Sequence, residues 1–281
     1  MEQSQGLGVK RVPLQIELEM YAEKPILLPF FTGHVSRGLL LHVLRRVNPS
    51  LARALHEADK PKPYAVTPLR FKSREKTDKG YWLDPNFPCR VTFKFLQDEI
   101  AKYLLEYFYK NSSVLIYDTV FQVASLNVKT ESYEDLWNHA EELTKAFRLA
   151  FLTPTYLATL GTDYHYLFPD HTKIFPSLMR LWNLFSDIRK FDKNEVLEYK
   201  EWLLKNMGVS KHKLSTRTAF MREKKANGFV GWAEYEMKVL DEWSQVTLVF
   251  ARFAEYSNIG GNRTGGFGVT IIKPRDGENE S

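Results

Sequence analysis

Residues 89–110 read Cys89-Arg-Val-Thr-Phe-Lys-Phe-Leu-Gln-Asp-Glu-Ile-Ala-Lys-Tyr-Leu-Leu-Glu-Tyr-Phe-Tyr-Lys110. Apolar and polar side chains alternate along Cys89–Leu96, which is the pattern of a strand with one buried face. The apolar spacing then lengthens to that of an amphipathic helix over Asp98–Lys110. A strand that leads directly into a helix indicates a fold in which helices pack on one face of a sheet.

The residues on either side of this stretch complete a larger unit. Upstream, strict alternation predicts a first strand at Leu14–Met20, and helical spacing predicts a helix from Val35 to Val47. Three further predicted elements fill the remaining positions: a short second helix at Leu51–Ala58 and strands at Tyr64–Arg74 and Val114–Val123. The resulting order, β-α-β-β-α-β, is that of a ferredoxin-like domain.

The second half of the chain repeats this order of elements. The predicted elements are a strand at Phe147–Leu157, helices at Thr172–Arg189 and Asn194–Lys205, strands at Val209–Arg222 and Phe229–Val239, a helix at Glu242–Tyr256 and a closing strand at Phe267–Ile272. We therefore predict an α+β protein of two tandem ferredoxin-like, or RRM-like, domains at residues 1–130 and 140–281. An acidic and polar segment, Thr130–Leu143, is the predicted boundary between them.

Composition narrows the class of protein. The 281 residues are 44% apolar and 14% aromatic, which is ample for packed cores, and the formal net charge of +5 favours an anionic partner. Cys89 is the only cysteine, so we expect no disulfides and a reducing, cytoplasmic location. Neither an export leader nor a membrane-spanning run is found, and no two histidines have a metal-binding spacing. We expect no membrane association, no metal and no cofactor.

Positive charge is concentrated between residues 205 and 230. This block contains Lys205, Lys211, Lys213, Arg217, Arg222, Lys224 and Lys225. Because Lys211, Lys213 and Arg217 share parity along a predicted strand, they should project from one face, at a spacing that suits nucleic-acid phosphates. The alternative is an edge hairpin whose lysines only prevent aggregation. Among the aromatic residues, Tyr64 and Trp232 are candidates for base stacking, although a place in the core is the more common role.

A glycine-rich stretch precedes the last strand: Asn258-Ile-Gly-Gly-Asn-Arg-Thr-Gly-Gly-Phe-Gly268. Glycines let the backbone adopt positive φ and bring N–H groups close to a ligand, and an arginine guanidinium suits phosphate. The predicted RNA contacts here are Gly260, Gly261, Asn262, Arg263, Gly265, Gly266 and Gly268. The alternative is a flexible turn before the final strand.

Three histidines are candidates for acid–base chemistry. His56 ends the short second helix and is followed by Lys60 and Lys62, so an imidazole could donate a proton beside a stabilising ammonium group. The alternative is a histidine that interacts only with the carbonyls of the helix end. His34 and His42 lie outside the apolar stripe of the first helix, and they are predicted to point away from the core.

In ordered blocks over most of its length, the chain resembles the CRISPR-associated endoribonucleases that cut precursor CRISPR RNA within its repeats, a family of the RAMP superfamily. The blocks begin at Thr32-Gly33-His34 and Arg37-Gly38-Leu39 and continue through Asn48-Pro49-Ser50, Leu55-His56-Glu57, Lys62-Pro63-Tyr64 and Thr67-Pro68-Leu69. Later blocks are Thr153-Pro154-Thr155, Leu167-Phe168-Pro169-Asp170, Ile174–Leu178 and Gly228–Trp232. The glycine-rich stretch at Gly260–Gly268 is the hallmark of that family.

The resemblance implies a reaction and assigns roles to residues. Enzymes of this family work without metal: the ribose 2′-OH attacks the adjacent phosphate, an acid protonates the leaving oxygen, and a cyclic phosphate remains. By this resemblance His56 matches a catalytic histidine, and Lys62 matches a lysine that stabilises the phosphate. Leu41 stands where some members have a tyrosine base, which leaves His34 and His42 as possible substitutes.

The predicted function is therefore a metal-independent endoribonuclease that binds CRISPR repeat RNA and cuts precursor crRNA within each repeat. A CRISPR effector complex is a candidate recipient of the product. One alternative is a non-catalytic RAMP subunit that only binds guide RNA in such a complex. Another is an unrelated RNA-binding protein with two RRM-like halves, but neither half contains the RNP motif. A homodimer is also possible.

Overall fold

The computed structural model describes residues 11–57, 61–138, 144–159, 161–221 and 224–274. Their elements in chain order are β1 (Leu14–Ala22), β2 (Leu27–Leu28), α1 (Gly33–Val47), α2 (Pro49–Glu57), β3 (Tyr64–Val66), β4 (Ser73–Lys76), β5 (Tyr81–Leu83), β6 (Cys89–Phe95), α3 (Asp98–Lys110), β7 (Ser113–Ile116), β8 (Thr119–Thr130), α4 (Tyr133–Asn138), β9 (Ala146–Thr155), α5 (His171–Phe185), α6 (Lys193–Asn206), β10 (Met207–Met221), β11 (Lys224–Met237), α7 (Glu242–Ser257) and β12 (Thr270–Pro274). Among these, no helix is both long and apolar enough to cross a membrane.

The first half forms a five-stranded antiparallel sheet in the order β3-β6-β1-β8-β7. Leaving aside the edge strand β7, this is the strand order of a ferredoxin-like domain. The alternating apolar residues of β1 and β6 bury one face against α1 and α3, and β1 pairs with β6 so that Ile16 lies opposite Phe93. The predicted helix at Asp98–Lys110 is found with the same bounds.

The second half forms a four-stranded sheet in the order β10-β11-β9-β12, which is again ferredoxin-like. Helices α5, α6 and α7 contribute to a core rich in aromatic side chains, with Trp182 packed against Phe250 and Phe253. The predicted α+β architecture of two tandem ferredoxin-like domains is confirmed.

Two predicted strands differ from the structure. The predicted strand Val114–Val123 is a hairpin, because the chain turns at Tyr117, whose φ is 54°. The predicted strand Tyr64–Arg74 ends as β3 at Val66, since Pro68 has no backbone N–H to donate, and the chain then joins a small separate sheet of β2, β5 and β4.

Helix α4 lies in the segment predicted to be a polar boundary. Its Tyr133 and Leu136 are buried in the core of the second half, and the Tyr133 ring contacts Trp182. The Tyr133 hydroxyl donates to the carbonyl of Leu96, which belongs to the first half. The segment therefore links the two cores by packing, and it is not a free linker.

The open face of the first sheet packs against α7 of the second half. Gln15 donates to the carbonyl of Glu255 over 3.2 Å, and the Tyr256 hydroxyl donates to Glu131 over 2.9 Å. At the centre of this junction the ammonium group of Lys94 donates to the Oδ1 of Asn258 over 2.8 Å. The two domains are thus joined by polar contacts that are largely shielded from water.

The buried Lys94 should make the stability depend on pH. Burial lowers the pKa of Lys94 to about 7, although nearby Glu255 opposes this effect and Lys129 adds to it. Between that value and the ordinary lysine pKa of about 10.4, the unfolded chain binds the extra proton, so stability should rise with pH across this window. Urea denaturation at pH 7 and pH 9 should show a higher midpoint at pH 9. Lys94→Met should flatten this rise, and an unchanged rise would contradict the assignment.

Candidate nucleic-acid interface and active site

The glycine-rich stretch lies between the two domains. Asn258 ends α7, and a short 3-10 helix at Arg263–Gly265 is seated against the start of α1. A Cβ added to Gly33 would overlap the carbonyl oxygen of Gly265, and one added to Gly266 would meet the Gly33 Cα at 2.9 Å. These glycines therefore allow two backbones to touch.

Burial separates the glycines predicted to bind RNA into two groups. Gly265, Gly266 and Gly268 are buried, so the expectation that they present N–H groups to RNA is replaced by a packing role. Gly266 and Gly268 also have positive φ. By contrast, the rim formed by Gly260, Gly261 and Asn262 is partly exposed, and RNA binding by this rim stays a prediction.

Arg263 has a different role from the predicted phosphate contact. Its residue is only 9% exposed, and its guanidinium donates to the carbonyls of Ser257 over 2.7 Å and Lys62 over 3.1 Å. Burial, with a smaller effect from Arg180, lowers the pKa of Arg263 to about 10. The prediction of an exposed phosphate-binding fork is therefore wrong for Arg263, which instead fastens Lys62 to the glycine-rich stretch.

The side chain of Lys62 reaches the backbone of His56, and the catalytic roles of both residues stay a prediction. The Lys62 ammonium donates to the carbonyl of His56 over 2.8 Å, which links the exposed end of α2 to the start of β3. Lys62 is thus held at both ends, by its own side chain and by the contact of Arg263 with its carbonyl. The intervening Lys60 lies outside the described residues.

His34 and His42 face a groove between α1 and the β7–β8 hairpin. Both are partly buried, and with Leu115 and Tyr117 they line the space between α1 and the β7–β8 hairpin. A neighbouring cavity of about 680 Å³ is bordered by His42, Arg46 and Lys110, among other residues. Burial, followed by the charges of Arg46 and Arg45, lowers the pKa of His42. The prediction that these histidines lie off the core stripe holds, but they face a groove and not open solvent.

Two residues beside Tyr64, the first residue of β3, were not identified from the sequence: Arg37 and Thr264. Tyr64 is fully buried, and burial raises its pKa while the neighbouring Arg37 opposes the increase. Thr264 of the glycine-rich stretch also lies against the Tyr64 hydroxyl. Arg37 is one helical turn before Leu41, the position where the resemblance places a catalytic tyrosine. This spacing could have identified Arg37 from the sequence.

The basic block forms the hairpin of β10 and β11. Lys211, Lys213 and Arg217 are exposed, and their partners in register are Glu234, Trp232 and Gly228, so the predicted one-sided stripe is present. Lys225 is exposed on β11. Arg222 and the side chain of Lys224 lie outside the described residues.

The tip of this hairpin touches the glycine-rich stretch. Ala219 and Ala226 pack with Phe31 and Phe267, and the Asn262 amide contacts the Met221 sulfur at 3.4 Å. The tip of the cationic hairpin therefore contacts the glycine-rich stretch, which the buried Arg263 joins to Lys62.

Comparison with known proteins supports a specific family. The family described as CRISPR-associated endoribonuclease Cas6 matches residues 149–270, and the family described as CRISPR Cas6 N-terminal domain matches residues 12–99. No curated protein sequence matches the chain.

Solved structures of similar fold agree with these matches. A Cas6 from Thermus thermophilus superimposes with a TM-score of 0.72 at 23% identity, covering 95% of this chain and all of that one. A product complex of the same Cas6 gives a TM-score of 0.76 at 23% identity, covering 94% of this chain and all of that one. A Cas6-related protein from Pyrococcus furiosus gives 0.59 at 14% identity, covering 95% of this chain and all of that one. At these identities the likeness establishes the fold, and the two family matches together span well over half of the residues, so the chain belongs to the Cas6 family of CRISPR-associated endoribonucleases.

Proposed function

We propose that the protein is a metal-independent endoribonuclease that binds CRISPR repeat RNA and cuts precursor crRNA once within each repeat. The ribose 2′-OH attacks the adjacent phosphate, and the cut leaves a cyclic phosphate. Membership of the Cas6 family supports RNA cleavage, and the similar solved structures include Cas6 complexes with a product and with a substrate mimic. The product is then available to a CRISPR effector complex.

The observation that carries this proposal is the double attachment of Lys62. Its ammonium group is held at the His56 carbonyl by one hydrogen bond, and Arg263 holds its backbone by another. A fixed ammonium group can stabilise the negative charge that develops on the phosphate in the transition state. The exposed His56 beside it is the proposed acid that protonates the leaving 5′ oxygen.

The proposed base is on α1. A histidine accepts a proton only when it is neutral, and burial and the charges of Arg46 and Arg45 favour the neutral form of His42. His34 lines the same groove and is the second candidate. Arg37, between the two along the helix, supplies a guanidinium suited to phosphate.

The proposed RNA-binding surface runs from Lys62 to the basic hairpin of β10 and β11. It comprises Lys62, the rim Gly260–Asn262, and the exposed cations Lys211, Lys213, Arg217 and Lys225. Lys60, Arg222 and Lys224, which are close to these residues in the sequence, are proposed to contribute as well. The charges favour a polyanion, and the rim is partly exposed, so that RNA can reach it.

Cleavage of labelled repeat RNA in EDTA tests this function. We expect one cut per repeat, a cyclic phosphate product, and no cleavage of RNA that carries a 2′-deoxyribose at the cut site, because that substrate lacks the nucleophile. The deoxy substrate should still bind. Tight binding of the host's own repeats without any cutting would instead identify a non-catalytic RAMP subunit.

Reversing the charge of the hairpin should weaken RNA binding. The triple change Lys211→Glu, Lys213→Glu and Arg217→Glu removes three exposed cations, and it should reduce the slope of log affinity against log salt by up to about 2. Filter binding at several salt concentrations measures this slope. Lys79→Glu, Lys193→Glu and Lys238→Glu together make a matched control, since these exposed lysines lie outside the stripe. Equal losses in both triple variants would contradict a specific role for the hairpin.

A further inference from the structure

Trp232 lies on the open face of the second sheet and not in the core. Its neighbours on β11, Ala233 and Tyr235, are buried in the core, so alternation places Trp232 on the opposite face, where it is half-buried. Across that face, the register of β10, β11, β9 and β12 places four residues side by side in one row: Lys213, Trp232, Ala150 and Ile271.

The indole is held in a fixed position. The guanidinium of Arg148 lies 4.0 Å from the centre of the Trp232 ring, and Arg148 also pairs with Glu234 at 3.4 Å. The Glu234 carboxylate is 2% exposed and accepts a hydrogen bond from Ser210. A ring supported in this way loses little conformational freedom when a ligand stacks on it.

The charges around the indole suit an anion. The row next to Trp232 contains Lys211, Glu234, Arg148 and Lys273, and the carboxylate of Glu234 is already paired with Arg148. Lys211 and Lys213 are two residues apart on β10, which separates their Cα atoms by about 6–7 Å, close to the spacing of phosphates along an extended single strand.

An aromatic ring on an open sheet face with cations beside it is the chemistry that binds unpaired bases. In a duplex the faces of the bases are stacked on each other and cannot reach the indole. The ligand that fits is therefore a single strand, and both the stacking surface and the flanking cations are needed for it.

We propose that this face binds an unpaired segment of RNA, with one base stacked on Trp232 and the flanking phosphates on Lys211 and Lys213. The proposal rests on the proposed function in taking RNA as the ligand. It adds a site for an unstructured part of the substrate, separate from the His56–Lys62 pair, and so requires that part of the bound RNA stays single-stranded.

The test is the affinity for a 5′-labelled 12-nucleotide oligoadenylate, measured by fluorescence anisotropy. Trp232→Leu keeps apolar bulk but cannot stack, so it should weaken binding by about tenfold. The matched control is Phe220→Leu, which removes an exposed aromatic ring from the neighbouring strand β10, on the opposite face of the sheet. Binding within about twofold of wild type for Trp232→Leu, or an equal loss for Phe220→Leu, would overturn the proposal.

A second variant leaves Trp232 in place, so that its result does not depend on whether Trp232→Leu folds. Ile271→Glu places a carboxylate in the same row, on a partly exposed residue, and should also weaken oligoadenylate binding by repelling phosphate. Thermal unfolding confirms that each variant is folded. Full affinity in folded Ile271→Glu would count against the site even if Trp232→Leu failed to fold.

Cleavage separates this proposal from the proposed function. Cleavage of repeat RNA by the wild-type protein and binding of oligoadenylate by Trp232→Leu are measured separately. If wild type binds but never cuts, and Trp232→Leu still weakens oligoadenylate binding, the endonuclease proposal fails and the binding face stands. If wild type cuts and Trp232→Leu binds as wild type does, the binding face fails alone.

Discussion

His56→Ala is expected to slow single-turnover cleavage of repeat RNA by about 100-fold, because an alkoxide leaves poorly without a proton donor. The affinity for RNA should stay within about twofold of wild type, since the exposed imidazole is one group among many in the proposed surface. Rapid quench of labelled RNA at saturating protein measures the rate, and filter binding measures the affinity.

Variants at Lys62 and His42 locate the rest of the chemistry. Lys62→Ala should also reduce the rate, and Lys62→Arg should restore part of it if charge is what matters. His42→Ala should abolish the decrease in rate at low pH, because the lowered pKa of His42 predicts loss of the free base only below about pH 6.5. A His56→Ala enzyme that cuts at the wild-type rate would move the acid elsewhere, with the α1 groove as the next place to look.

The parts of the fold that depend on local pattern were predictable. Alternation along β1 and β6, and the helical spacing at Asp98–Lys110, gave elements whose positions the structure reproduces. The one-sided stripe of Lys211, Lys213 and Arg217 was predictable for the same reason, since side chains alternate along any strand.

The parts that depend on distant contacts were not predictable. A glycine-rich sequence shows that the backbone can approach something closely, but not whether that is RNA or, as Gly33 and Gly265 show, another part of the chain. Arg263 was misjudged for this reason, because its partners Ser257 and Lys62 are fixed by the docking of the two domains. For Trp232 the sequence left base stacking and a place in the core as alternatives, because alternation defines two faces without showing which one is covered.

Asn258→Ala is expected to destabilise the protein by at least about 1–3 kcal/mol, the cost of leaving a buried hydrogen-bonding group without its partner. The Asn258 side chain accepts from Lys94, and its amide donates to the carbonyls of Val66 and Phe267 over 3.1 and 3.0 Å. Alanine leaves these groups without that partner where water has little access. The positive φ of 56° at Asn258 adds to the cost, because alanine adopts that conformation less readily than asparagine.

Urea denaturation gives the loss directly, and two further variants identify its source. Asn127→Ala, an exposed asparagine on β8, should change stability by no more than about 0.5 kcal/mol. Adding Lys94→Met to Asn258→Ala should recover part of the loss, because the double variant no longer buries an amine that has lost its acceptor. A double variant as unstable as the sum of the two single changes would show that Lys94 and Asn258 act independently. Since Asn258 contacts both β3 and the glycine-rich stretch, recovery in the double variant would mean that the buried pair holds the two domains, and with them Lys62 and Arg263, in register.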